Sequence, residues 1–187
     1  MIYMKILFVG NSHTYNHEVP GLIMKLAKKD GIDCHTAMNA HGGWTLFQHT
    51  REPDVPFNIK YGGYDYVVLQ EHAHPFDHDG KMLEAVSALT EWAKQGGATP
   101  VIFMTWAQKH ERHKQKEMTE GCIEAAKISR GLLAPVGERW WEFYDANPEK
   151  ELYSPDNGHA SMIGAELAAQ VIWETILEDY KKSERGI

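Results

Sequence analysis

Apolar runs of strand length alternate along the chain with longer segments whose apolar residues recur at helical spacing. "YMKILFVG", residues 3–10, has the uninterrupted apolar, β-branched and aromatic character of a strand buried on both faces. "VPGLIMKLAKKDG" then sets Leu22, Ile23, Leu26 and Ala27 on one helical face, and Gly31 supplies a stop signal. "IDCHTAMNA" predicts a second, more polar strand and "YDYVVLQE" a buried third. In "KMLEAVSALTEWAKQGG", Met82, Val86, Leu89 and Ala93 recur at helical spacing until Gly96 and Gly97 end the pattern. "TPVIFMTW" predicts the fourth strand, and Met118, Cys122, Ala125, Ala126 and Ser129 form the inner stripe of a helix with a charged outer face. "GLLAPVG" predicts a short fifth strand. A last helix over roughly residues 161–181 is expected to bury Ile163, Leu167, Val171 and Ile176.

Strands separated by single helices require parallel pairing with right-handed crossovers, because a helix is what returns the chain to the same end of the sheet. The pattern therefore predicts an α/β fold, a three-layer α/β/α sandwich around a central, mainly parallel five-stranded sheet. No repeat, low-complexity stretch or Pro/Gly/Ser-rich linker divides residues 1–187, which are expected to form a single domain. The longest irregular stretches, near residues 50–63 and 145–160, are candidate functional loops.

Composition narrows the function classes. With 26 acidic against 19 basic side chains, the net charge of -7 gives no overall attraction for nucleic acid or an anionic membrane. Cys34 and Cys122 make neither a disulfide framework nor a Cys-x-x-Cys metal spacing and are expected to be reduced, packed thiols. The N-terminus lacks a signal peptide's cleavage site, and no run approaches the roughly 18 apolar residues needed to cross a bilayer. A cytoplasmic protein with a small-molecule substrate is expected, and homo-oligomerisation is compatible with this composition.

In an open parallel sheet, ligands bind outside the carboxyl ends of the strands. The residue types that carry chemistry fall there: Ser12 after the first strand, Gly42 and Gly43 after the second, Gln70 closing the third. "YSPDNGHAS" adds Asp156 and His159, three residues apart, just before the last helix. That spacing lets a carboxylate fix one imidazole nitrogen while the other faces Ser12, whose hydroxyl needs such a base to become a nucleophile. The oxyanion formed on attack requires fixed donors, for which the Ser12 and Gly43 backbone N–H groups and the Gln70 carboxamide are candidates. Asn11, His13, Trp44 and Trp106 flank these positions and are candidate substrate contacts. Each residue alone has an ordinary reading as a turn, cap or packing position; their order at successive strand ends carries the information.

These blocks resemble those of the SGNH hydrolases, also called GDSL-like lipases or esterases. "VGNSHT" is similar to the family's Gly-Asp-Ser block with Asn11 in place of Asp, "HGGWT" matches the second-block glycine best at Gly43, and Asp156-x-x-His159 matches the last block. In the third block "VVLQEH" offers Gln70 where the family has Asn, one methylene longer, and some branches share this Gly-Asn-Ser and Leu-Gln-Glu pattern. The resemblance runs from residue 5 to about residue 175. It implies a flavodoxin-like sheet, cofactor-free hydrolysis of an acyl ester and an acyl-enzyme on Ser12. A polar, histidine-lined approach and the absence of a long apolar lid argue against long-chain lipids and point to a short, acetyl-like acyl group on a carbohydrate or another small alcohol.

Two rival readings follow from other features. "EHAHPFDHD" gathers His72, His74, His78, Asp77 and Asp79, which would suit a metal-dependent phosphoesterase, although the spacings match no familiar zinc signature and no metal ligands are assigned. The departures at Asn11 and Gln70 would suit a non-catalytic carbohydrate-binding protein on a hydrolase scaffold.

Overall fold

The computed structural model describes residues 2–184. β1 (Ile2–Gly10) lies inside a five-stranded parallel sheet of order β2-β1-β3-β4-β5, with β2 (Ile32–Ala40), β3 (Tyr66–Leu69), β4 (Thr99–Phe103) and β5 (Leu132–Ala134). β1 is apolar throughout because successive side chains enter opposite cores: Met4, Ile6 and Phe8 one, Leu7 and Val9 the other. β2 is polar at alternate positions because it forms an edge of the sheet.

The first face is covered by α2 (Val19–Lys29), α7 (Val136–Ala146) and α8 (Met162–Glu184). The second carries α3 (Leu46–His49), α4 (Asp54–Tyr61) and α5 (Met82–Gln95). α6 (Gln115–Ser129) gives Met118 to the first core and Cys122 and Ala125 to the second. The three-layer α/β/α expectation holds. Both cysteines are buried and unpaired. Among the described residues no helix is long and apolar enough to cross a membrane.

Several local expectations need correction. Residues 50–63 are not irregular, since α4 occupies most of them and anchors itself with Val55 and Ile59. Two buried residues interrupted by Pro56 are too few to show a helical period. α7, "VGERWWEFYDA", is a further helix that the sequence reading does not include; Val136, Gly137, Trp140 and Trp141 recur at helical spacing and form its buried stripe. In α8 the buried face holds Leu167, Val171 and Ile176, but Ile163 is exposed because it lies in the first turn, away from the packed side. β4 ends at Phe103, so Met104, Thr105 and Trp106 run beyond the sheet.

β3 likewise ends at Leu69, leaving Gln70 and Glu71 as buried residues just past its tip. Burial pushes the Glu71 carboxyl up to about 8, against the pull of the His72 and Leu46 backbone N–H groups that donate to it. From the ordinary value of 4.5 upward the folded protein therefore holds a proton that the unfolded chain has released. This contribution to stability is complete below about pH 4.5 and is lost as pH rises towards 8. Thermal unfolding of Glu71→Gln is expected to match wild type at pH 5 and to give a higher melting temperature than wild type at pH 9. A variant less stable at both pH values would contradict this assignment.

Candidate active site

The end of β1 builds the turn that carries Ser12. Asn11 caps α1 (Ser12–Tyr15) by accepting the His13 N–H at 3.1 Å, and Ser12 is the first residue of that helix. Asn11 is itself held at both ends: its backbone N–H donates to Gln70 Oε1 at 2.9 Å and its Nδ2 to the Trp44 carbonyl at 3.0 Å. Gly10 is required by close approach, because a Cβ there would lie 2.5 Å from Thr14 Oγ1 and 2.6 Å from Gln70 Oε1. Across from this turn, Gly43 adopts φ +73°, a conformation that favours glycine. Among the described residues neither the Ser12 nor the Gly43 backbone N–H has a hydrogen-bond acceptor.

The second half comes from the loop between α7 and α8. A short antiparallel contact between Tyr153 and Ala160 closes it, with Ser154 N–H donating to the His159 carbonyl at 2.8 Å and Ser154 Oγ to the Ala160 carbonyl at 2.6 Å. Its tip is tied to the segment after β4, since Trp106 Nε1 donates to the Gly158 carbonyl at 2.9 Å and Lys109 N–H to the Asn157 carbonyl at 2.9 Å. Within the loop, Asp156 Oδ1 accepts the Gly158 and His159 N–H groups, each at 2.9 Å, and Asp156 Oδ2 lies 2.5 Å from His159 Nδ1. The other ring nitrogen, Nε2, lies 2.8 Å from Ser12 Oγ. Three side chains from opposite ends of the sequence thus form one hydrogen-bonded line.

The electrostatics suit that line. Partial burial alone would raise Asp156, but the His159 ring and the Gly158 and His159 N–H groups outweigh it and bring the carboxyl to about 2. Asp156 is therefore ionised at neutral pH and holds the Nδ1 hydrogen, which leaves the Nε2 lone pair facing Ser12. Ser12, His159 and Asp156 line a cleft of about 300 Å³ with Asn11, His13, Gly43, His74 and Gln108.

The chain is similar over nearly its whole length to a solved structure assigned to the SGNH hydrolases, from Slackia heliotrinireducens. The two share 30% identity across 93% of this chain and 99% of that one, with a TM-score of 0.80. The chain belongs to the SGNH hydrolases. The fold also matches an acetyl xylan esterase, AlAXEase, at 16% identity over 91% and 98% of the two chains with a TM-score of 0.70. It matches the esterase EstA of Pseudoalteromonas sp. at 15% identity over 95% and 98% with a TM-score of 0.69. No family model and no curated protein matches the sequence.

Two candidate residues of this SGNH hydrolase sit elsewhere than the sequence suggested. The Gln70 carboxamide is fully buried and engaged: Oε1 accepts from Asn11 N–H and Thr14 Oγ1, and Nε2 donates to the Glu71 carbonyl at 2.5 Å. It fastens the turn that carries Ser12 and does not line the cleft, so it is not placed as an oxyanion donor. Trp106 is also completely buried, stacked on Trp140 with ring centroids 3.9 Å apart, and uses its N–H to hold Gly158. It supports the His159 loop and has no face for substrate.

Of the other flanking residues, Asn11 is buried as the cap just described. His13 is buried against the His159 ring, with centroids 4.8 Å apart. Burial first, then the neighbouring His74, His159 and His72 rings, lower its pKa well below the usual imidazole value, so it packs as a neutral ring. Trp44 is half-buried at the rim, where it packs on His41 with centroids 4.2 Å apart.

The histidine-rich loop does not gather ligands. Among the described residues no group of three His, Cys, Asp or Glu side chains is arranged to hold a metal ion. His72 Nδ1 instead contacts the Pro75 carbonyl at 2.8 Å and His74 Nε2 the Trp106 carbonyl at 2.9 Å.

Sequence reasoning missed His17. It has φ 56° and the next residue, Glu18, has φ 55°, two successive left-handed residues that are not glycine. Such conformations are unfavourable and persist where surrounding contacts impose them. Here His17 Nε2 donates to the Ala160 carbonyl at 3.1 Å, tying the segment after α1 to the residue that follows His159. His17→Asn keeps a residue tolerant of this backbone but is too short to make the bond. It is expected to lower kcat about tenfold with little change in KM, because small misplacement of reacting groups acts on the chemical step. Steady-state kinetics beside a melting curve would check this; unchanged kcat would make the bond incidental. No local pattern in the sequence signals the contact, since its partner is 143 positions away.

Proposed function

We propose that this SGNH hydrolase is a serine esterase that removes a short acyl group, acetyl or similar in size, from a carbohydrate or another small alcohol. The observation that carries the reading is the continuous line from Ser12 Oγ through His159 to Asp156, with spacings of 2.8 and 2.5 Å. In the first step His159 Nε2 takes the hydroxyl proton as Ser12 Oγ attacks the ester carbon. Ser12 and Gly43 offer their unpaired N–H groups to the oxygen that becomes negative. Collapse expels the alcohol, which takes the proton from His159 and leaves an acyl-enzyme on Ser12. Water then enters, gives its proton to His159 and attacks the acyl carbon, and Ser12 Oγ departs with the proton returned.

The small size of the cleft, about 300 Å³, supports a short acyl group over a long alkyl chain. The fold shared with an acetyl xylan esterase is in keeping with an acetylated carbohydrate. A fluorophosphonate should label the protein once, at Ser12 by peptide mass mapping, and a p-nitrophenyl ester series should be cleaved fastest at acetate or butyrate. Ester cleavage without labelling at Ser12 would overturn the mechanism, and faster cleavage of decanoate than acetate would overturn the acyl assignment.

A further inference from the structure

The wall of the cleft beside His159 carries polar atoms that the acyl-transfer steps do not use. His74 Nε2 lies 2.9 Å from the Trp106 carbonyl, and a carbonyl oxygen is an acceptor only, so Nε2 carries the hydrogen. Burial lowers the His74 pKa, and the ring is neutral. Its Nδ1 is therefore a bare acceptor. Gln108 lines the same cleft, and its carboxamide has no hydrogen-bond partner among the described residues.

Both groups converge over Gly158, between Asp156 and His159. A Cβ placed on Gly158 would lie 3.3 Å from Gln108 Nε2 and 3.4 Å from His74 Nδ1. The absent side chain leaves this polar corner open. His74 and Gln108 also line a second cavity of about 450 Å³, which continues past Ala73 towards Phe76 and Met118. With Ala73 they line both cavities and form the gate between them, in reach of a substrate arm that extends from the cleft into the second cavity.

We propose that this gate recognises a hydroxyl group on the substrate, placed two or three bonds from the scissile ester. A hydroxyl both donates and accepts, so it satisfies the bare Nδ1 of His74 and an amide hydrogen of Gln108 together. An alkyl arm would cover the same two groups and leave them unpaired, while a carboxylate or phosphate would meet the His74 lone pair with another. The proposal rests on the esterase reading above and names the substrate class within it: esters of polyols or sugars, or esters of hydroxy acids, which share this chemistry.

The test compares two matched pairs by kcat/KM. Glyceryl monoacetate against propyl acetate places the hydroxyls on the alcohol, and methyl lactate against methyl propanoate places one on the acyl group. Wild type is expected to favour the hydroxylated member of at least one pair about tenfold or more, the scale of a lost hydrogen bond to a desolvated partner. The favoured pair identifies the arm that crosses the gate. In Gln108→Leu the ratio should fall towards one, and His74→Phe should do the same where it folds. The rate of fluorophosphonate labelling, which needs Ser12 and His159 but no hydroxyl, reports separately that the reacting pair is intact. Ratios near one in wild type for both pairs, or a preference that survives Gln108→Leu, would overturn the gate while leaving the esterase reading in place. Cleavage of none of the four esters would overturn that reading and the gate with it.

Discussion

Ser12→Ala is expected to lower kcat for a short-chain aryl ester by about 10⁶-fold, to a rate set by the remaining cleft. The hydroxyl at 2.8 Å from His159 Nε2 is the nucleophile in the proposed reaction, and among the described residues no other side-chain hydroxyl or thiol lines the cleft. Both cysteines are buried in the cores, where burial holds their thiols up at about 11 for Cys34 and about 12 for Cys122. His159→Ala should cost nearly as much, because a serine without its base is protonated and unreactive. The double variant should then be no worse than either single one, since the two residues act as a unit. Initial rates on p-nitrophenyl acetate, with labelling mass spectra for each variant, check all three statements. A Ser12→Ala enzyme that keeps its rate would move the chemistry to another part of the molecule.

The residues of this line were legible in the sequence because each follows from a local rule. A buried strand running into Gly-Asn-Ser marks a strand tip, and Asp-x-x-His before a helix marks a turn that can couple a carboxylate to a ring. Parallel topology then brings strand tips together at one edge. What the sequence concealed depends on distant partners. Gln70 was placed correctly at the tip of β3, yet its role turned on Gly10, Asn11 and Thr14, which surround the carboxamide and use it to fix the turn. Trp106 was placed near the site, but its face is taken by Trp140 from α7, a helix that the strand-like start of this stretch at β5 and the loop after it left unassigned. His74 and Gln108 meet only because the loops after β3 and β4 both reach Gly158. The same reasoning explains why α4 was read as a loop: two buried anchors stabilise it against the sheet but do not make a pattern.

Asp156→Asn should lower kcat by about 10⁴-fold while leaving the fold of the loop in place. Asparagine keeps an oxygen to accept the Gly158 and His159 N–H groups, so the turn that presents the ring persists. The change falls on the other atom. Where Asp156 Oδ2 accepts from His159 Nδ1, an asparagine amide would donate, and the ring would answer with its lone pair at Nδ1 and its hydrogen at Nε2. That hydrogen would then point at Ser12 Oγ, and the ring could not take the serine proton. The loss should appear in kcat with KM nearly unchanged, because Asp156 serves the proton transfer more than it holds substrate. pH separates this effect from simple destabilisation. With its carboxyl at about 2 in the folded protein against an ordinary 3.8, Asp156 adds stability that is present above pH 3.8 and lost as pH falls towards 2. It stays ionised through the neutral range and puts no inflection of its own there, so the asparagine variant should remain far below wild type at both pH 6 and pH 8. A deficit that disappeared at either pH would mean that Asp156 does not act by fixing the tautomer of His159.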